Sequence, residues 1–182
     1  PEAADNRDRA SYTTSPAAVS VNLFDGTNTG GHATGDVYVE LEDFELSVFD
    51  DAFTGDGEDN HVFGLLGDDT LDGRGGADTL DGDGIEAAAL PLFGDPPGAV
   101  SAALFDRDTV TYAAAAVAVL AQAGFTFAGQ EALRGFFGIA EGDKLLRTEV
   151  LIGGDFADTL EGYQLAPNEI RGGLADDEIF GG

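Results

Sequence analysis

The sequence predicts an all-β solenoid in which very short parallel strands are wound into right-handed coils and stacked, with loop and short-helix excursions between them. Three observations lead there. From Leu46 to Asp81 the chain is four copies of one nine-residue phrase: LSVFDDAFT, GDGEDNHVF, GLLGDDTLD and GRGGADTLD. Related phrases return near the end, as GGDFADTLE (153–161) and GGLADDEIF (172–180). The segments ahead of the two blocks also repeat one another, Arg7-Asp8-x-x-x-Tyr12 reappearing as Arg107-Asp108-x-x-x-Tyr112. Self-similarity at a fixed period marks one supersecondary unit that buries its apolar side only by stacking on its neighbours.

Numbering the phrase from its first residue, place six holds Asp51, Asn60, Asp69 and Asp78, and place eight holds Phe53, Val62, Leu71 and Leu80. The first six places are rich in Gly and Asp, which favour turns and positive backbone dihedrals. The last three put one apolar side chain between two outward ones, a minimal strand. Two phrases complete one coil, so every second phrase lands on the same edge, setting Asp51 over Asp69 and Asn60 over Asp78. Stacked carboxylates repel unless a counter-ion joins them. A hard cation held by side-chain and backbone oxygens resolves this, and calcium accepts six to eight such ligands in flexible loops.

These residues resemble the nonapeptide of the RTX (repeats-in-toxin, haemolysin-type) calcium-binding family, G-G-x-G-x-D-x-U-x. Gly64, Gly67, Asp69 and Leu71 match it, as do Gly73, Gly76, Asp78 and Leu80. The resemblance implies a parallel β-roll with several Ca2+ ions between successive coils, held by place-six side chains and turn carbonyls. Carried over, Asp51, Asn60, Asp69 and Asp78 would be side-chain ligands, with Gly64, Leu66, Gly73 and Gly75 offering carbonyls. In the later phrases Gly153, Asp155, Asp158, Asn168, Gly172, Leu174 and Asp177 would complete the metal set. Leu46 and Leu65 stand where the family has glycine, Glu58 replaces the place-four glycine and Asn60 an aspartate. Weaker sites are therefore expected in the first coils.

The chain has 182 residues, with 35 acidic against 8 basic and a net charge of −27. That sign excludes nucleic acid as a partner, because phosphate binding needs cations. Without metal such a chain repels itself. Cysteine is absent, which removes disulfides and cysteine–metal sites. No apolar run reaches membrane-spanning length, and no basic region followed by an apolar one opens the chain. Ending on Gly181-Gly182, the start of another phrase, it reads as a fragment of a longer repeat protein.

Taken in order, residues 1–84 form a first repeat unit, with leader strands in 17–45 and nonads in 46–84. Residues 1–18 read as poorly ordered outside Arg7–Tyr12. Val19, Val21 and Leu23 alternate with polar neighbours as one strand; 25–35 is a turn-rich loop; Val37, Val39 and Leu41 are a second strand. Residues 85–105 are an Ala/Pro-rich insertion. Residues 106–182 form the second unit, with Val117 and Val119 on a leader strand and nonads in 153–182. Gly142-Asp143 and Glu149 echo Gly35-Asp36 and Glu42 at an offset of 107, and GYQLAPNEIR (162–171) is a ten-residue phrase. Gln130–Phe137 suits two helical turns within a longer connection.

Acid pairs such as Asp68-Asp69 recur with the nonad period, so ligation or turn chemistry explains them better than glycosidase catalysis. His32 and His61 lack partners at metal-ligand spacing and read as solvated. No H-E-x-x-H, G-x-S-x-G or G-x-G-x-x-G occurs in a suitable context, and the EF-hand pattern fails after Asp81. Tyr12 and Tyr112 read as strand-edge residues packed over a roll end. The expected function is a non-catalytic, calcium-folded β-roll segment of a secreted or cell-surface protein, type I secretion being implied by the resemblance. The alternative is a carbohydrate-binding accessory module, with Lys144, Arg134 and Arg147 as its basic cluster on an extracellular polysaccharide. Self-association through the roll ends is the other expected partnership.

Overall fold

A computed structural model of the chain describes residues 8–82, 107–117, 119–122, 144–146, 149–162 and 169–181. Strand and turn alternate throughout them. The strands, three residues each, are β1 (Arg9–Ser11), β2 (Ser20–Asn22), β3 (Asp43–Glu45), β4 (Ala52–Thr54), β5 (His61–Phe63), β6 (Thr70–Asp72) and β7 (Thr79–Asp81). They continue as β8 (Thr109–Thr111), β9 (Leu120–Gln122), β10 (Lys144–Leu146), β11 (Val150–Ile152), β12 (Thr159–Glu161), β13 (Glu169–Arg171) and β14 (Glu178–Phe180). One 3-10 turn, Gly31–Ala33, is the only helical element among the described residues.

Strands from alternate phrases join alternate faces. One sheet runs β1-β3-β5-β7-β10, the second β13-β11-β8-β6-β4-β2, and the third β14-β12-β9, and the neighbours pair in parallel. The register places Phe44, Val62 and Leu80 in one row and Phe53, Leu71 and Val110 in another. These six, with Leu145, Leu151 and Leu160, are fully buried and form a core one side chain deep per rung. The fold is an all-β parallel β-roll in which two phrases make one coil.

The strands preceding the nonads belong to the same stack. β8 lies on β6 with Leu71 opposite Val110, and β10 lies on β7 with Leu80 opposite Leu145. The β8–β11 pairing reproduces that of β1 with β3, and β9–β12 reproduces β2 with β4.

Several expectations need correction. Residues 37–41 are not a strand: the ladder begins at Asp43, and Val37 and Val39 are 83% and 74% exposed. β1 pairs directly with β3, so segment 37–41 is left without a ladder position, whereas its equivalent at 144–146 finds β7. Tyr38 and Leu41 turn inward against the core, Tyr38 meeting Phe44 edge-on at 5.3 Å. In the second leader, Val117 is exposed and the strand starts after the buried Val119. Tyr112 is not at an end but fully buried, because the coil continues beyond it. His61 is half-buried beside Asp43, its ring 4.4 Å from that of Phe63. Residues 13–17, expected to lack order, form turns closed by the Ser15 N–H donating to Tyr12 O. The insertion at 85–105, the helical turns at 130–137 and residues 163–168 lie outside the described residues.

The turns explain the glycine pattern. Places two and four are left-handed in three phrases: Leu65 and Gly67 (φ 86° and 114°), Arg74 and Gly76 (66° and 112°), Gly173 and Ala175 (108° and 71°). Glycine adopts this region without penalty, whereas an L-residue costs about 1–2 kcal/mol. Leu65→Gly is therefore expected to raise stability by about 1 kcal/mol, although glycine usually weakens a fold. Gly67→Ala should do the reverse, since a methyl there would stand 2.5 Å from the Phe49 carbonyl carbon. Denaturant unfolding in millimolar calcium checks both signs.

Candidate metal-binding edges

Each place-six side chain stands where the chain leaves a turn for a strand, so parallel stacking lines these groups up along an edge. The alignment is fixed by hydrogen bonds. The Asp51 N–H donates to Asp69 Oδ1 (2.8 Å), and the Asp69 N–H donates to Asp108 Oδ1 (3.0 Å). On the other edge the Asn60 N–H donates to Asp78 Oδ1 (2.8 Å). The Val119 N–H donates to Asp158 Oδ1, and the Asp158 N–H to Asp177 Oδ1. Glutamates extend the rule in the leaders, Glu42 accepting from the Asp8 N–H and Glu149 from the Asp108 N–H. Charge-assisted bonds of this kind are about twice as strong as neutral ones. A parallel row of place-five acids follows outside, where Asp50 accepts from Asp68 N–H and Asp68 from Arg107 N–H.

The rows bury acid. Asp51, Asp69, Asp78, Asp108 and Asp158 are all at least 97% buried. Burial pushes the Asp51 carboxyl above the usual carboxylate range, while hydrogen bonds from Val19 and Ser47 pull it back. Asp72 is raised in the same way by burial, with Arg74 beside it opposing. Removing a charge from water without a partner is costly. A cation on the edge is the direct remedy.

The turns offer oxygen in the right places for one. Asn60 Oδ1 is buried and accepts no hydrogen bond. A methyl at Gly55 would lie 2.3 Å from Gly73 O and 2.6 Å from Asn60 Oδ1. The same cradle recurs at Gly64, between Asp69 Oδ2 and Gly82 O, and at Gly153, between Asp158 Oδ2 and Gly172 O. In each, a place-six oxygen and the place-one carbonyl two phrases onward face one another across space a side chain would fill. No group of three His, Cys, Asp or Glu side chains converges among the described residues. Any ion must therefore take much of its shell from backbone carbonyls, which suits calcium better than a transition metal.

Among the sequence-predicted ligands, the structure brings Asp51 over Asp69, Asn60 over Asp78, and Asp158 over Asp177, which is half-buried. Gly64, Gly73, Gly153 and Gly172 are buried in the turns, with Gly73 beside Asn60 and Gly172 beside Asp158. Leu66 and Gly75 are half-buried, and the Gly75 N–H donates to Asp56 O. Leu174 is 63% exposed, its N–H on Gly154 O. Asp155 is exposed, and Asn168 lies outside the described residues. Sequence reasoning missed Asp108 and Glu149. The available signal was an acid standing directly before a strand in the repeated Arg-Asp-x-x-x-Tyr leader.

A stack of three-residue parallel strands edged by buried acids and turn carbonyls defines a metal-binding repeat scaffold. Residues 54–84 and 147–164 match the family model of the RTX calcium-binding nonapeptide repeat, in four copies. Those residues are similar to the RTX calcium-binding nonapeptide repeat, a calcium-binding structural repeat. No curated protein matches the chain. No helix among the described residues is long and apolar enough to cross a membrane.

Asp108 supplies a prediction outside the matched repeats. Asp108→Ala leaves the buried Asp69 N–H without its acceptor and is expected to cost about 1–3 kcal/mol. Asp108→Asn, which keeps an oxygen there, should recover much of that loss in the same thermal unfolding measurement.

Proposed function

We propose that this chain is a non-catalytic scaffold that becomes rigid by binding several calcium ions along its edges, as a segment of a secreted or cell-surface protein. The observation that carries the reading is the buried place-six row in cradles shared with glycine carbonyls. Asp51, Asn60, Asp69 and Asp78 on the first coils, and Asp158 and Asp177 on the last, would hold the ions with the turn carbonyls of Gly73, Gly82 and Gly172. When bound, calcium supplies the positive charge that the net −27 chain lacks. The family match supports calcium as the ion.

Extracellular calcium modules typically bind with a dissociation constant of about 10⁻⁴–10⁻³ M. At ten times that concentration one site contributes roughly 1.4 kcal/mol. A few such sites are comparable with the whole stability of a small domain. The chain would then stay open and self-repelling at cytosolic calcium and set after export. Nothing in the described structure favours the polysaccharide alternative: Arg134 and Arg147 fall outside the described residues, and they were two of its three basic groups.

Far-UV circular dichroism during a calcium titration tests this. Strand signal should be lost in chelator and restored by millimolar calcium, with equimolar magnesium much less effective. Asp69→Ala should move the midpoint to higher calcium by several-fold, while Glu58→Ala, an exposed place-four change, should leave it in place. Full strand signal in chelator would sink folding on metal.

A further inference from the structure

Among the place-six acids Asp51 is held in its own way, and the two residues that open its phrase are the reason. Where place one is glycine, the space its side chain would occupy is the cradle. A methyl at Gly64 would lie 2.2 Å from Asp69 Oδ2 and 2.4 Å from Gly82 O; one at Gly153 would lie 2.5 Å from Asp158 Oδ2 and 2.4 Å from Gly172 O. In the phrase 46–54 place one is Leu46. Its backbone is placed as the glycines' is, the Leu46 N–H donating to Phe63 O (2.9 Å) as the Gly64 N–H does to Asp81 O (2.8 Å). Its side chain is fully buried and belongs to the apolar core. The equivalent of the cradle, between Asp51 and the Gly64 carbonyl, is therefore taken by hydrocarbon.

The carboxylate beside that filled space is met by protein donors instead. The Val19 N–H donates to Asp51 Oδ1 (2.7 Å), the Ser47 hydroxyl donates to the same oxygen (2.8 Å), and the Ser47 N–H donates to Oδ2 (2.5 Å). Ser47 is fully buried, and its Oγ accepts from the Phe49 N–H (3.2 Å), which leaves the hydroxyl proton for Asp51. Charge-assisted bonds of this kind are the strong ones. Serine stands at place two in no other phrase. Asp158 receives the place-two N–H, from Gly154, but has no hydroxyl there and faces glycine at place one. At Leu65 the place-two N–H goes to Gly82 O.

We infer that Asp51 fixes register without holding an ion, Ser47 supplying the donors and Leu46 the filling that calcium supplies at the glycine cradles. The inference rests on the calcium reading proposed above and narrows its ion-holding set by one residue, so that the row on this edge begins at Asp69. The exchange is of one stabilising contact for another. A glycine at place one leaves room for an ion whose binding depends on free calcium, whereas a leucine there gains apolar burial that does not. The Asp51 rung then draws no ion, while the rungs stacked on it do.

Isothermal titration calorimetry with calcium, on the full chain, counts the ions bound. Asp51→Asn, which keeps the oxygen that accepts from Val19 and Ser47, should bind as many ions as the parent, whereas Asp69→Asn should bind at least one fewer. Ser47→Gly alone should leave the count unchanged, because Leu46 still fills the space. Leu46→Gly with Ser47→Gly, which gives this phrase the glycine pair that opens GGDFADTLE, should bind one ion more, and adding Asp51→Asn should remove it. Circular dichroism in saturating calcium shows that the paired variant has folded. An ion lost from the parent set with Asp51→Asn would overturn the inference, whether or not the paired variant folds. An unchanged count in the folded paired variant would overturn it as well. A parent that takes up no calcium would remove the reading beneath this inference, and the inference with it.

Discussion

Everything in this roll rests on one hydrogen bond repeated along its edges, from the backbone N–H that opens a strand to the acid that opens the strand one coil onward. Parallel strands lie about 4.8 Å apart, so whatever occupies place six is brought within one rung of its own copy. An acid there meets two opposed demands. One oxygen is consumed by the N–H and fixes the register, as Asp69 does for Asp51. The second contributes to a column of like charge whose repulsion at such spacing reaches ~4 kcal/mol per pair at an effective dielectric near 20. The bond that sets the geometry therefore creates the demand for a cation, and the carbonyl oxygens of the glycine turns lie beside it.

This accounts for what could be read from the sequence and what could not. The nonads were legible because their period is short and every place has one job: Phe53, Val62, Leu71 and Leu80 inward, Asp51 over Asp69, Asn60 over Asp78. Strand positions were harder where a ladder partner comes from far along the chain. Val37, Val39 and Leu41 alternate yet form no strand, whereas Lys144-Leu145-Leu146, which does not alternate, is one because β7 lies beside it. Alternation reports which side chains can face inward, and says nothing about whether a neighbouring strand exists. The left-handed Leu65, Arg74 and Ala175 were hidden for a related reason. The turn imposes their conformation through the stack, against local preference.

The leaders show that the roll is wider than the repeat grammar. The family match ends at 84 and resumes at 147, but β8 sits between these limits and stacks on β6 as a nonad strand would. Asp108-Thr109-Val110-Thr111 has no glycine-rich turn before it. It has the two features a rung requires: an acid able to accept the preceding N–H, and one apolar side chain for the core. Sequence similarity follows the turns, where glycine is constrained, whereas the stack follows the acid and the apolar residue. Asp108 consequently belongs to the same buried column as Asp51 and Asp69, although no nonad contains it.

A column built this way makes stability a property of neighbours. Each rung contacts only the rungs above and below, so the total is approximately a sum of rung terms and interface terms. The cradles at Gly55, Gly64 and Gly153 each draw oxygens from two rungs, so an ion held there, as proposed, would belong to the interface term. Losing one such ion would weaken two rungs at once, and the loss would pass along the stack through the carboxylate that the neighbouring N–H was using. A roll with ions in its interior interfaces should consequently set and melt over a narrower calcium range than independent sites of equal affinity.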